Sequence, residues 1–177
     1  MAQAELGDLP EGSTERLYQE TEGLPLFVVE YLAGVNSGEL AATGETWELP
    51  RGVRQVLQAR VNAVNDVGRQ LLTAAAVIGR SFAFDTLRSV SGRSEEETVG
   101  GLEAVAAVGL IRELRANDQA AAEPRYDFAH EQLRRVIYEE ISLARRRLLH
   151  RRAAEALIHG AGQSLGAAAS QIAHHLR

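Results

Sequence analysis

Apolar residues recur at three- and four-residue intervals along most of the chain, which predicts a mostly helical protein. Residues 1–12 lack that period, carry Pro10 and Gly12 as breakers, and read as a tail. Ser13 is placed to cap a helix to about residue 22, with Leu17 and Tyr18 facing inward and Gly23 ending it. Pro25 then opens a helix over 26–35, where Phe27, Val28, Tyr31, Leu32 and Val35 form a broad apolar stripe. Residues 36–44, with Gly, Ser and Asn, read as a loop. Trp47, Leu49 and Pro50 give an extended entry to a helix over 52–61, in which Val53, Val56, Leu57 and Arg60 share a face. Asn65 or Asp66 caps the next helix, which runs through Leu71, Leu72, Ala75, Ala76 and Ile78 to a stop at Gly79. Phe82 and Phe84 lead into a short helix over 85–90.

Ser94-Glu95-Glu96-Glu97 is a capping box, a serine N-cap with glutamate three residues on. The helix it opens carries Val99, Leu102, Val105 and Ala106 to Val108, with Gly109 as terminator. Gly100 and Gly101 inside it each cost about 1 kcal/mol against alanine, so a close backbone contact is expected there. The period then changes to two: 110–114 and 125–128 predict paired strands, joined by a polar loop through Asn117, Asp118 and Pro124. From His130 the helical spacing returns, with Leu133, Val136, Ile137, Ile141 and Leu148 on one face and a break with recapping at Ser142. A last helix over 164–176 carries Leu165, Ala168, Ile172 and Leu176, and reaches Arg177 without a stop signal, as expected of a chain cut from a longer one. Three helices followed by two strands over 66–129 is the order of a winged helix, a helix-turn-helix with a hairpin wing.

Composition narrows the chemistry. The 177 residues are 45% hydrophobic and 24% charged, enough apolar material for a core. There is no cysteine, which excludes disulfides, thiolate nucleophiles and cysteine-ligated metals. All 19 basic residues are arginine, so neither a Schiff-base lysine nor a phosphate-binding P-loop ending in Lys-Ser/Thr is present. No apolar run approaches the ~18 residues of a membrane span, and the acidic N-terminus is no signal peptide, so a cytoplasmic protein is expected. The net charge of −5 is uneven: −9 over 1–50, zero over 51–124 and +4 over 125–177. That gradient predicts segments with different surfaces.

Catalytic patterns are mostly missing. His130-Glu131-Gln132-Leu133-Arg134 begins like a zinc-protease motif but has arginine where the second ligand belongs. His174 and His175 are adjacent on a helix and point apart, which disfavours a shared metal. Gly160, Gly162 and Gly166 miss the dinucleotide-binding spacing and follow a helix, so they read as a linker. No serine or aspartate sits in a recognisable triad context, and no enzyme activity of the chain itself is expected. The helix in the recognition position of the winged helix bears Glu95, Glu96, Glu97 and Glu103 and no arginine over 94–109. Four carboxylates oppose a polyanion, so direct DNA binding is disfavoured. The arginines of 134–152 are either the solvated side of an amphipathic helix or a docking face, for which Arg145, Arg146, Arg147, Arg151 and Arg152 are the candidates.

Several segments together resemble a known family. Thr21-Glu22-Gly23-Leu24-Pro25-Leu26-Phe27-Val28-Val29-Glu30-Tyr31-Leu32 is similar to the T-x-G-x-P-x-F-x-x-E-x-L segment in the lid of STAND-class signalling ATPases. Tyr126-Asp127-Phe128-Ala129-His130, followed by Tyr138, Arg146, His150 and Ala153, resembles the end of their winged-helix domain. Trp47-Glu48-Leu49-Pro50, the stretch from Leu72 to Phe82, and Ile172-Ala173-His174-His175 also match in order. The nearest relatives by this resemblance are large ATP-binding LuxR-type and SARP-type bacterial transcriptional regulators and cyclase-linked ATPases.

The resemblance implies a helical lid at 13–45, a winged helix at 46–130 and, over 131–177, the start of a helical arm of TPR-like repeats. It implies a non-catalytic regulatory piece with no cofactor of its own, partnered by an upstream P-loop domain that holds ATP or ADP with magnesium, and by downstream helical repeats of the same polypeptide. It places Pro25 near the adenine and His130 near the nucleotide phosphates. Leu24 departs from the family pattern, where many members have asparagine. Pro25 is equally explained as a helix-start proline, and His130 as a helix-start residue bonded to nearby backbone. The alternatives are a DNA-binding winged-helix regulator and a free-standing helical adaptor.

Overall fold

A computed structural model describes residues 13–36, 49–114 and 124–161, together with 173 and 175. The expected tail, the Ser13 side chain, the loop expected at 36–44 beyond residue 36, Trp47, the loop through Asn117 and most of the last helix lie outside the described residues. The protein is mostly helical, with eight helices and one small antiparallel sheet among the described residues. The chain divides into two units, 1–59 and 60–177.

In the first unit α1 (Ser13–Thr21) packs on α2 (Pro25–Asn36), and α3 (Arg51–Asn62) begins. The turn between α1 and α2 is built from Thr21, whose hydroxyl donates to the Leu17 carbonyl (2.7 Å) and accepts from the Gly23 amide (3.2 Å). Glu22 and Gly23 both take positive φ, at 49° and 73°, which only glycine adopts at little cost. Leu17, Phe27, Tyr31, Leu32, Leu49, Val53 and Leu57 are buried. Tyr18 is not inward-facing as expected: it is 63% exposed, and its ring lies over Gly23. Val56 and Arg60 are likewise exposed, so the buried side of α3 is the narrower pair Val53 and Leu57.

The second unit is organised around α4 (Asp66–Ile78), capped by the Asn65 side chain, which accepts from the Gly68 amide at 2.8 Å. There follow β1 (Ser81–Ala83), α5 (Phe84–Ser91), α6 (Glu95–Ala107), β2 (Ile111–Leu114), β3 (Arg125–Phe128), α7 (Glu131–Glu140) and α8 (Leu143–Ala161). Helix α4 packs against α5, α6, α7 and α8, so it is buried almost all round. Its Ala74, Ala75 and Ala76 suit that place, because small side chains let several helices approach one axis. Within 131–177, the stretch expected to be a helical arm, α7 and α8 pack in the same unit as the hairpin.

The sheet order is β1-β3-β2, all antiparallel, with Phe82 opposite Tyr126 and Ile111 opposite Phe128. Strand β1 extends the expected hairpin to three strands. Its three residues are too few to show an alternating pattern, and the partner that makes them a strand lies more than forty residues away in sequence. Phe82 and Phe128 meet edge to face in the core, with ring centroids 5.8 Å apart.

The capping box forms: the Glu97 amide donates to Ser94 Oγ (3.2 Å), and the Ser94 amide donates to Glu97 Oε2 (3.0 Å). Behind it the buried face of α6 is Thr98, Gly101, Leu102 and Val105, one step round from the expected stripe, and Val99 and Ala106 are exposed. Thr98 enters the core because its hydroxyl is satisfied locally, donating to the Ser94 carbonyl at 2.7 Å. On α8 the buried leucine is Leu149, with Ala153 and Ala154 one turn on, rather than Leu148, which is only half-buried. The break at Ile141, whose backbone is extended, resets the helical phase, so a single register across 133–148 does not hold.

Candidate functional site

His130 is the N-cap of α7, in extended backbone with φ −146° and ψ 142° and without a side-chain capping bond. Its position is set by the end of β3. The Phe128 amide donates to the Arg80 carbonyl (3.0 Å), and the Ala129 amide to the Leu110 carbonyl (2.9 Å). Beneath that strand end Asp127 is buried. It takes a hydrogen bond from the Ser81 hydroxyl and a long contact, 3.5 Å, from Arg112. Within the first turn of α7, Glu131 pairs with Arg134, which also donates to the Ala76 carbonyl (3.2 Å) and ties α7 to α4. The imidazole of His130 is half-buried on this rigid seam between sheet and helix.

Pro25 is the first residue of α2 and is exposed, with the Leu24 carbonyl accepting from the Val28 amide at 2.9 Å beside it. That is the structural duty expected of a proline at this place. Pro25 belongs to the first unit and His130 to the second.

The candidate docking arginines separate into two sets. Arg146 and Arg152 turn toward the protein: the Arg146 guanidinium lies 4.5 Å from the Tyr138 ring centroid and donates to the Glu139 carbonyl (2.8 Å). Arg152 donates to the Val90 carbonyl (3.3 Å), tying α8 to α5. Arg147 and Arg151 point outward, with Arg151 loosely paired to Glu155 at 3.8 Å. Arg145 is half-buried and lines a groove with Arg69, Asp66 and Glu140. The five residues thus do not form one continuous face; the outward pair is Arg147 and Arg151.

The α6 surface carries Glu95, Glu96 and Glu103 around exposed Val99 and Gly100. Glu95 contacts Arg88 at 3.3 Å and Glu97 contacts Arg93 at 2.9 Å, so part of this charge is compensated. The Ser94 amide, and then the Arg93 guanidinium, hold the Glu97 carboxyl below its ordinary value of 4.5. Burial, then the Glu113 and Glu103 carboxylates, push the Tyr126 phenol up from 10.0.

One cluster joins residues named above only as separate parts of the family resemblance. Tyr138, His150 and His175, separated by 12 and 25 residues, form a hydrogen-bonded line: Tyr138 Oη to His150 Nε2 at 3.0 Å, and His150 Nδ1 to His175 Nδ1 at 2.9 Å. Only tertiary packing brings them together. Among the described residues no group of three His, Asp or Glu side chains converges as a metal site, and no helix is long and apolar enough to cross a membrane. Comparison with known proteins gives no matching family model, no matching curated protein and no matching solved structure.

Proposed function

We propose that this chain is a non-catalytic regulatory segment of a larger STAND-class signalling ATPase, a lid followed by a winged helix and the start of a helical arm. It would relay nucleotide state from an upstream P-loop core to output domains. The observation that carries the reading is the order α4–β1–α5–α6–β2–β3 with sheet order β1-β3-β2. We read this order as a winged helix, with the β2–β3 hairpin as wing. The second support is chemical. A chain without lysine supplies no P-loop, so nucleotide would be held by the upstream core together with magnesium, and this segment would read it.

In the proposed mechanism, His130 and Pro25 meet the bound nucleotide in one conformation only. That differential contact sets the populations of closed and open forms, since a ligand shifts an equilibrium only by its difference in affinity for the two states. His130 suits such a role because its backbone is fixed by strand and helix on both sides, so moving its unit moves the imidazole as a rigid probe. The acidic α6 face argues against the DNA-binding alternative, and the outward Arg147 and Arg151 are the remaining candidates for docking.

The test is the natural reading frame upstream of residue 1. Protein extended in that direction should contain a GxxxxGK[ST] segment and bind ATP, whereas an extension with neither would overturn the reading in favour of a free-standing adaptor.

A further inference from the structure

Helices α6 and α8 both pack on α4, and each turns an exposed stripe away from it. On α6 the stripe is Glu96, Val99, Gly100 and Glu103, the spacing of one helical face. Glu95 and Glu97 are engaged by Arg88 and Arg93, whereas Glu96 and Glu103 form no ion pair among the described residues. These two carboxylates leave the helix about 10 Å apart along its axis. Between them Gly100 makes a notch, with no atom within 4 Å of the place a Cβ would take. Val99, 42% exposed, walls the notch on one side. No arginine lies over 94–109, so the stripe is acidic throughout.

The stripe on α8 has the opposite sign. Leu143, Arg147, Arg151 and Ile158 fall on one face and are all exposed, Leu143 by 72%. Arg147 forms no ion pair among the described residues. Arg151 meets Glu155 only at 3.8 Å, and such a contact between exposed groups contributes little. The two arginines rise about 6 Å apart along the axis, and their long side chains can spread to two glutamates. Leu143, one turn before Arg147, adds a large apolar side chain to the same face.

We propose that these stripes dock on one another between two copies of this chain, α6 of one copy against α8 of the other. Charge complementarity selects the occupant. The acidic notch calls for a helix that carries arginines and an exposed apolar side chain on one face, and α8 is such a helix. Arg147 and Arg151 pair with Glu96 and Glu103, while Leu143 covers Val99 and the notch at Gly100. Exchanged about a two-fold axis, the contact is made twice and closes a pair. None of this depends on the signalling-ATPase reading, since it uses only surfaces that this chain carries.

Sedimentation equilibrium of the full chain, from about 5 to about 500 µM, tests this in the range of a contact smaller than a stable interface. The average mass should rise with concentration toward that of a pair. Raising salt from about 0.1 to about 1 M shortens the screening length from about 10 to about 3 Å and should weaken association. The double variants Glu96→Arg with Glu103→Arg, and Arg147→Glu with Arg151→Glu, should each associate at least tenfold more weakly alone, a rough measure of like charges brought together. Mixed one to one, they restore both contacts with the signs reversed, and the mixture should associate as strongly as the unmodified chain. Gly100→Phe fills the notch without changing charge and should weaken association as well. Circular dichroism checks the fold of each variant, and should a double variant fail to fold, Gly100→Phe decides. A monomer at every concentration, association unchanged by the variants, or a mixture no stronger than its parts would overturn the proposal. A chain that stays monomeric but binds an arginine-rich helical peptide at α6 would also overturn it, in favour of a foreign basic partner.

Discussion

Gly100 and Gly101 are neighbours in α6 with opposite surroundings. A methyl group on Gly101 would collide with Leu71 and press on Val67, both on α4, whereas nothing lies within 4 Å of the same position on Gly100. Leu71 is itself buried and has nowhere to retreat. Gly101→Ala should therefore destabilise the protein by about 1–2 kcal/mol even after the gain in helix propensity. Gly100→Ala should stabilise it by about 1 kcal/mol, both read by denaturant unfolding. The sequence pattern raises the close contact but not which glycine makes it, because that depends on the rotation of α6 against α4. At the other end of α6, Arg93→Ala should raise the Glu97 pKa part of the way toward 4.5 in a carboxyl NMR titration, with the Ser94 amide still holding it down. The sign is that of a depressed carboxylate: the stabilisation from the capping box is complete above 4.5 and is lost as pH falls through the lowered value. That box is fully legible in the sequence, since all its partners lie within four residues.

At the scale of elements, legibility follows the range of the interactions. The eight helices described are recoverable from local spacing, and Asn65, Gly79 and Gly109 mark ends where their side chain or backbone freedom is used. Strand β1 is not recoverable, because its pairing with β3 is the only thing that makes it a strand. The face of α8 is misread for a related reason: Ile141 and Ser142 interrupt the helix, so residues before and after do not share a phase. Leu149→Ala should accordingly cost about 2–5 kcal/mol as a buried truncation, and Leu148→Ala clearly less, in the same unfolding assay. Equal losses would place the register of α8 elsewhere.

For the whole molecule, the separation of charge is visible in composition, but its consequence depends on which groups are compensated. Arg146 and Arg152 serve internal contacts, leaving a smaller outward basic surface than the arginine count suggests. With an acidic α6, random duplex DNA should bind no tighter than about 10 µM at physiological salt, measured by anisotropy; tighter binding would favour a DNA-binding regulator. The proposed relation of Pro25 and His130 to a nucleotide rests on family resemblance alone, since neither residue has a chemistry that spacing assigns. The most direct measurement is ADP affinity of the chain extended upstream to include the proposed P-loop domain, with and without His130→Ala. A regulatory contact predicts ADP binding weakened several-fold with the fold intact by circular dichroism. Unchanged affinity and unchanged release rate would contradict the account.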